Sequence, residues 1–328
     1  MIRGRTEGRA RTEMRTPPRE RAPVVVLGAA GQIGWELVRA LAPLAPIVAA
    51  TRADADLTDP DAVCDFVRRT APRAVVNAAA YTNVDAAERD PALAARVNAE
   101  APAALAVACA RMDVPLVHYS TDYVFDGTAV VPYPEDAPMA PLGVYGRTKR
   151  DGEAAVRAAG GPHLVLRTSW VYGARGRNFL RTMLGLAHAR PTLRVVADQR
   201  GAPTWSRAVA EATALMLAQL RTPNGRFALD AARSGVYHVV AGGETTWYDF
   251  ARAILASDPA RATQRCERVE PLTTAEYGAP APRPAYSILA TDRARDTFGI
   301  ELPEWSVQLT LVMAELAERA AAPGSVPP

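Results

Sequence analysis

The sequence predicts an α/β protein with a Rossmann-like, doubly wound parallel sheet and a smaller, interleaved C-terminal domain. From residue 24 onward, short β-branched runs alternate with longer segments of helical periodicity. This alternation is typical of parallel strands that are covered by helices on both faces. A chain of 328 residues with 49% hydrophobic residues is also long and apolar enough to bury the core of such a fold.

The individual elements follow in regular order. Strands are predicted at residues 24–27, 47–50, 74–76, 115–119, 163–167 and 236–240. Helices are predicted at residues 32–41, 61–69, 91–112, 145–158 and 179–188. Strand signals weaken from Thr245 onward, which indicates a second, smaller domain that interleaves with the first.

Composition excludes several classes of protein. The net charge of +3 arises mainly in the first 23 residues, which carry seven arginines and three glutamates but no aromatic residue, so we expect neither a nucleic-acid partner nor a signal peptide. No later run looks long and apolar enough to cross a membrane. The cysteines Cys64, Cys109 and Cys266 are unpaired in spacing, which favours reduced packing residues in a cytoplasmic protein.

A glycine-rich turn follows the first predicted strand. Gly28-Ala-Ala-Gly31-Gln-Ile-Gly34 leads directly into a helix, and strand, glycine turn and helix in that order form a pyrophosphate site for a dinucleotide. The second strand ends Ala50-Thr51-Arg52, where an NAD-selective site usually has an acid. Arg52 suits a ribose 2′-phosphate and favours NADPH, although NADH use, with Arg52 as a solvated surface residue, stays open.

The chain contains 38 basic residues, of which one is a lysine, Lys149, four residues after Tyr145. On a helix these two side chains share a face, so we expect the ammonium to favour the phenolate and lower the pKa of Tyr145. A tyrosine tuned in this way can transfer a proton near neutral pH. Thr121 supplies a hydroxyl at the end of a central strand, facing the ligand crevice. The alternative is that the Tyr-Lys spacing occurs by chance.

Several longer segments carry a family resemblance. They are Gly31-Gln-Ile-Gly34, Asn77-Ala-Ala-Ala-Tyr-Thr-Asn-Val-Asp85, His118-Tyr-Ser-Thr-Asp-Tyr-Val-Phe-Asp126, Val144-Tyr-Gly-Arg-Thr-Lys149, Arg167-Thr-Ser-Trp-Val-Tyr172, Asp198-Gln-Arg-Gly-Ala-Pro-Thr204 and Arg283-Pro284-Ala-Tyr-Ser287. In this order, and over roughly residues 24–316, they resemble the dTDP-4-dehydrorhamnose reductases of the extended short-chain dehydrogenase/reductase superfamily. That family uses NADH or NADPH to reduce the 4-keto group of dTDP-4-dehydro-L-rhamnose to dTDP-L-rhamnose for cell-surface polysaccharides.

The residue patterns and the resemblance together assign roles to particular residues. Gly28, Gly34 and Arg52 come from the glycine turn and the end of the second strand, where Arg52 departs from the acid that many family members have. Arg283 is placed as a residue that can reach the nucleotide diphosphate, and the other roles are what the resemblance implies. Catalysis is assigned to Thr121, Tyr145 and Lys149. The cofactor site comprises Gly28, Gly31, Gln32, Ile33, Gly34, Arg52, Asp56, Leu57, Ala80, Tyr81, Thr82, Tyr119, Tyr145 and Lys149. The dTDP-sugar substrate site comprises Thr121, Asp122, Tyr145, Trp170 and Arg283.

The domain expectation follows from the same motifs. We expect the Rossmann domain at residues 23–170, with segments around 195–241 returning to it, and the substrate domain at 171–194 and 242–320. The flanking segments 1–22 and 321–328 are expected to be a disordered arginine-rich tail and a flexible tail.

Three questions stay open at this level. Another nucleotide-sugar epimerase or dehydratase, and a regulatory subunit resembling methionine adenosyltransferase beta, are the alternative functions. His118 is expected to be a buried structural residue rather than a catalyst. The sequence predicts no metal site and leaves both a Mg²⁺ requirement and a homodimer undecided, because members of the family differ in these properties.

Overall fold

The computed structural model describes residues 22–321, so the predicted tails lie almost entirely outside the described residues. A six-stranded parallel sheet forms the centre of the molecule in the order β2-β1-β3-β4-β5-β10. Its strands are β1 (Val24–Leu27), β2 (Ile47–Ala50), β3 (Ala74–Asn77), β4 (Leu116–Thr121), β5 (His163–Thr168) and β10 (Gly235–His238). The predicted parallel sheet is therefore confirmed, with strand bounds within about two residues of those expected from the sequence.

Helices cover both faces of this sheet, and others lie beyond it. In chain order they are α1 (Gln32–Leu41), α2 (Pro60–Thr70), α3 (Val84–Arg89), α4 (Pro91–Ala95), α5 (Ala101–Met112), α6 (Val144–Ala158), α7 (Phe179–Ala189), α8 (Ser206–Gln219), α9 (Trp247–Ala256), α10 (Thr274–Tyr277), α11 (Asp292–Phe298) and α12 (Trp305–Ala321). A π-helical turn, Arg96–Glu100, joins α4 to α5. Short strands lie between the later helices, namely β6 (Val171–Tyr172), β7 (Thr192–Val196), β8 (Arg200–Gly201), β9 (Thr204–Trp205), β11 (Thr245–Thr246) and β12 (Arg268–Leu272).

Alternate residues of the strands face two separate hydrophobic cores. Val24 and Val26 of β1 pack in one core with α1 and α8, whereas Val25 and Leu27 pack in the other with α2 and α5. This two-sided burial explains the continuous apolar runs seen in the sequence. A third core, built around Tyr172, lies beyond the sheet and joins α7, α9 and α12.

The strand order creates one topological switch point. The chain passes from β1 to β2 on one side and then returns to β3 on the other side of β1. Parallel sheets bind ligands outside the carboxyl ends of the strands at such a point. The fold therefore directs attention to the residues that follow β1 and β3.

One expectation about membranes is corrected. The continuous helical segment Pro91–Met112 is long and apolar enough to span a membrane by length and composition alone. Its apolarity comes largely from alanine, and its residues Ala101, Leu105 and Cys109 are buried against the central sheet and α2. In this fold the segment is a core helix.

Candidate active site

The turn after β1 is shaped to let another group approach its backbone. Gly28 has a φ of +76°, and a Cβ at this position would lie 2.7 Å from the backbone nitrogen of Ala79, which follows β3. Gly31 precedes α1 with no side chain capping the helix. The first backbone N–H groups of α1 are therefore available to an anion, and the close packing of Gly34 on the Gly28 backbone holds the turn in place.

The end of β2 presents a surface ion pair. Arg52 Nε donates to Asp56 Oδ2 at 3.0 Å, and the Arg52 side chain is 77% exposed. Leu57, by contrast, is buried in the core below. Arg52, which was predicted to bind the ribose 2′-phosphate, is therefore accessible at the carboxyl end of β2. Its partner Asp56 is also a predicted cofactor residue.

The loop after β3 carries Ala80, Tyr81 and Thr82. Its backbone is fixed by Asn98 of the π-helical turn, because Tyr81 N donates to Asn98 Oδ1 at 2.8 Å and Asn98 Nδ2 donates to Tyr81 O at 3.0 Å. Asn98 Nδ2 also lies 3.2 Å from Thr148 Oγ1 on α6. The amide therefore ties the predicted cofactor loop to the helix that carries Tyr145 and Lys149.

Thr121 and Asp122 stand at the carboxyl end of β4. Thr121 Oγ1 donates to Asp122 Oδ1 at 2.9 Å, and both side chains are buried. Burial raises the pKa of Asp122 to about 6. Hydrogen bonds with the Ser287 and Thr121 side chains act in the opposite direction, so the carboxylate is held between the turn after β4 and the segment that contains Ser287.

Tyr145 and Lys149 meet this strand end from α6, as predicted, but their electrostatics differ from the expectation. Burial raises the pKa of Tyr145 to about 12, although a hydrogen bond with the Thr121 side chain acts in the opposite direction. The Lys149 ammonium donates to the Tyr119 carbonyl oxygen at 2.5 Å. The expected lowering of the Tyr145 pKa is therefore wrong for this structure: burial dominates, and Lys149 is directed at the β4 backbone.

The pKa of Lys149 is also shifted, but downward. Its side chain is 2% exposed, and burial lowers its pKa to about 8, against a raising effect from Glu153 one turn further along α6. Glu153 is held by Arg167 of β5 through hydrogen bonds of 2.7–3.1 Å. The site thus contains a cation that titrates near neutral pH, next to a protonated phenol.

Trp170 lies where β5 ends, in the left-handed region with a φ of +47°. Its indole stacks on Trp247 at the start of α9, with ring centroids 3.5 Å apart and planes 6° apart. A side chain at Gly201 would overlap the same indole. The predicted sugar-facing tryptophan is therefore held firmly, and one of its two faces is covered by Trp247.

Two other predicted site residues are already engaged. Arg283 Nη2 donates to Asp85 Oδ2 of α3 at 2.9 Å, and its Nη1 donates to the Ala281 carbonyl oxygen at 2.9 Å. The Tyr119 hydroxyl lies 2.6 Å from Thr213 Oγ1 inside the core, so only its backbone carbonyl faces the site. Within residues 22–321, no group of three or more histidine, cysteine or acidic side chains converges to hold a metal.

Sequence reasoning missed three residues that shape the site. Trp247 closes the stack on Trp170, Asn98 fixes the cofactor loop, and Asn178 Nδ2 donates to Gln32 Oε1 at 2.9 Å across the start of α1. None of the three contacts has a local signal, because each joins segments that are distant in the chain.

Two features define the class of protein: the glycine turn at residues 28–34, and the cluster of Thr121, Tyr145 and Lys149. Together they are those of a dinucleotide-dependent oxidoreductase of the short-chain dehydrogenase/reductase class. The family model described as RmlD substrate binding domain matches residues 22–318. The dTDP-4-dehydrorhamnose reductase of Burkholderia thailandensis is 48% identical over 296 residues, which cover 89% of this chain and 98% of that protein. The chain belongs to the dTDP-4-dehydrorhamnose reductase family, and the predicted resemblance is confirmed.

Two further comparisons show a relative with a different printed activity and a solved structure of a dTDP-4-dehydrorhamnose reductase. A Streptomyces antibioticus protein described as a probable dTDP-4,6-dihydroxy-2-methyloxan-3-one 4-ketoreductase is 46% identical, over 86% of this chain and 91% of that protein. The crystal structure of Bacillus anthracis dTDP-4-dehydrorhamnose reductase in complex with NADP is 34% identical, with a TM-score of 0.79 over 90% of this chain and 99% of that one.

Proposed function

We propose that this protein uses NADPH to reduce the 4-keto group of dTDP-4-dehydro-L-rhamnose, giving dTDP-L-rhamnose and NADP⁺ in the cytoplasm. The observation that carries this proposal is that Thr121, Tyr145 and Lys149 meet at the carboxyl end of β4, in the same parallel sheet whose β1 leads into the glycine turn, in a chain of this family. The NADP complex of the Bacillus anthracis relative supports the choice of cofactor.

The residues present fit a dinucleotide. The uncapped start of α1 leaves free N–H groups for a pyrophosphate, and the glycine at position 28 lets the loop after β3 pack directly on this turn. Arg52 has a planar fork of donors suited to a 2′-phosphate at the end of β2, once it exchanges its contact with Asp56. When bound, NADPH supplies the hydride for the sugar C4.

Tyr145 supplies the proton in this scheme. Because burial raises its pKa to about 12, the phenol stays protonated at neutral pH and can donate to the carbonyl oxygen as a hydride reaches the carbon. Thr121 donates to the same oxygen once its hydroxyl proton turns away from Asp122 Oδ1. Once Nζ turns from the Tyr119 carbonyl oxygen toward the phenol, the charge on Lys149 stabilises the phenolate that Tyr145 becomes after its proton has left.

The sugar would lie between Asp122 and Trp170. The Asp122 carboxylate, which now accepts from Thr121 and Ser287, is proposed to accept from a sugar hydroxyl, and the indole of Trp170 offers a flat apolar face to a 6-deoxysugar. Arg283 is proposed to reach the dTDP diphosphate from its position beside Asp85.

The test is direct. The purified protein is mixed with NADPH and dTDP-4-dehydro-L-rhamnose, and loss of NADPH is followed together with the NMR spectrum of the product, with Tyr145→Phe as the inactive control. Stoichiometric conversion supports the proposal. Turnover only with a dTDP-4-keto-6-deoxyhexose of other stereochemistry would reassign the substrate, and binding without turnover would favour a regulatory role.

A further inference from the structure

His118 is a fully buried histidine that the proposed reaction does not use. It lies on β4, and its register partner on β3 is Asn77. Its two ring nitrogens point at two different groups: Nδ1 is 3.2 Å from Asn77 Nδ2, and Nε2 is 3.5 Å from Lys149 Nζ. The imidazole therefore bridges the end of β3 and the buried lysine of α6.

The hydrogen bonds fix which nitrogen carries the proton. Asn77 Oδ1 accepts from the backbone N–H of Ala79 at 3.2 Å, so the amide must present its NH₂ group to His118. His118 Nδ1 then acts as the acceptor. Burial, with a further contribution from Lys149, lowers the pKa of His118 far enough to keep it neutral, and its single proton consequently sits on Nε2.

This tautomer has a consequence for Lys149. The Nε2–H group points its positive end at Nζ, so it can donate a hydrogen bond to a neutral amine but opposes an ammonium. We propose that His118, oriented by Asn77, is a positioning residue that makes the Lys149 environment favour the neutral amine over the ammonium. The inference rests on the proposed function, since it concerns the lysine of that site.

The other groups around Lys149 do not replace this effect. On α6, the Glu153 carboxylate favours the ammonium but is shared with Arg167, and the protonated Tyr145 is neutral. From β4, the Tyr119 carbonyl oxygen accepts from Nζ and also favours the charged form.

The remaining neighbours act elsewhere. Asp122, in the turn after β4, bears on Tyr145 and Tyr123, and the amide of Asn98 in the π-helical turn is neutral. Among the described groups that contact Lys149 Nζ, His118 is thus the one that points an N–H group, Nε2–H, at this nitrogen.

Lys149 is the one lysine of the chain, which makes its titration visible without any enzyme assay. Protein labelled with ¹³C-lysine gives a single side-chain Cε signal, whose shift with pH reports the Lys149 midpoint in the full chain. For the wild type we expect a midpoint far below the ordinary 10.5, near the value of about 8 given by its burial.

Two substitutions test the positioning role. His118→Phe keeps a ring of similar size but removes the N–H, and Asn77→Leu releases the tautomer so that Nε2 can accept from the ammonium. Both should raise the midpoint by about half a pH unit or more. His118→Gln keeps an N–H at the same distance along the side chain, so its Lys149 midpoint should stay close to that of the wild type.

The control is Val117→Ala, a buried residue of the same strand that faces the opposite core. It should lower stability and leave the Lys149 midpoint unchanged. Folding of each variant is checked by circular dichroism. If His118→Phe does not fold, the Lys149 midpoint of Asn77→Leu is the test.

An unchanged or lowered midpoint in the folded variants would overturn the inference. The basic limb of the pH profile of kcat/KM should move with the NMR midpoint. A wild-type protein that fails to turn over dTDP-4-dehydro-L-rhamnose would overturn the proposed function alone, because the titration of Lys149 is measured without substrate.

Discussion

Trp170 and Trp247 form a face-to-face stack, with ring centroids 3.5 Å apart, although they are 77 positions apart in the chain. The stack holds Trp170 in a left-handed backbone conformation that costs about 1–3 kcal/mol for a residue other than glycine. Such strain persists only where the surrounding structure fixes it. We therefore regard the orientation of this indole as a property that the substrate site depends on.

Gly201→Ala tests that dependence. The added methyl group would overlap the Trp170 indole and displace it, so we expect KM for the dTDP-sugar to rise about tenfold or more, with little change in the Kd for NADPH. Gly185→Ala is the matched control, because that glycine lies in α7 with nothing within 4 Å of the added carbon. It should leave KM unchanged and slightly increase helix stability. A normal KM in Gly201→Ala would show that Trp170 does not contact the sugar.

Lys149→Arg tests whether charge alone is sufficient. The guanidinium is wide and keeps its proton at all accessible pH values, so it should neither fit beside the Tyr119 carbonyl nor titrate. We expect kcat to fall by about 10²-fold or more, and Tyr145→Phe to cost at least as much. The double variant should be little worse than the worse single one, since the two residues act as a unit. Wild-type kcat in Lys149→Arg would contradict the mechanism.

At high pH, kcat/KM should decline because Lys149 loses its proton; this part of the profile is the basic limb. Burial favours the neutral amine and lowers the pKa from 10.5 to about 8, so kcat/KM should decline as the pH rises through about 8. The Glu153 carboxylate raises this pKa, and Glu153→Gln should consequently move the limb to lower pH. A profile that stays flat up to pH 10 or so would exclude Lys149 as the titrating group.

Arg52→Ser tests cofactor selectivity. A charge-assisted contact to a phosphate contributes about 1.5–3 kcal/mol, so its loss should reduce the preference for NADPH over NADH by roughly tenfold or more. Arg68→Ser removes an arginine from a similar exposed pair on α2, with Asp65, and should leave the ratio unchanged. The measurement is kcat/KM for both cofactors; equal ratios in the wild type and Arg52→Ser would make Arg52 a surface residue only.

The buried pair of Arg167 and Glu153 should matter for stability. Arg167→Met leaves a carboxylate that is 0% exposed without its cation, which should cost about 3–5 kcal/mol in the free energy of unfolding. The exposed pair of Arg150 and Asp151 provides the control, because Arg150→Met should change that free energy by less than about 1 kcal/mol. The free energy of unfolding of both variants is measured by urea denaturation. Equal losses in Arg167→Met and Arg150→Met would contradict the difference in burial between the two pairs.

Local sequence patterns were sufficient to predict the sheet, its main helices and the class of site. The β-branched runs, the glycine turn from Gly28 to Gly34 and the four-residue spacing of Tyr145 and Lys149 all act over a few residues, where steric and hydrogen-bonding rules are strong. They could not predict the electrostatics, because the Tyr145 pKa depends on burial by segments that are distant in the chain.

The sequence by itself determined the fold class and the identity of the groups that can react, since backbone geometry and residue chemistry are local properties. The tertiary structure decided what each of those groups touches. Only the packing of β3 against β4 brings Asn77 to His118, only the packing of α6 brings Lys149 to that imidazole, and only the third core brings Trp247 to Trp170. These contacts join residues 31 to 77 positions apart, so no local pattern encodes them, and burial then sets the protonation of Lys149 and Tyr145.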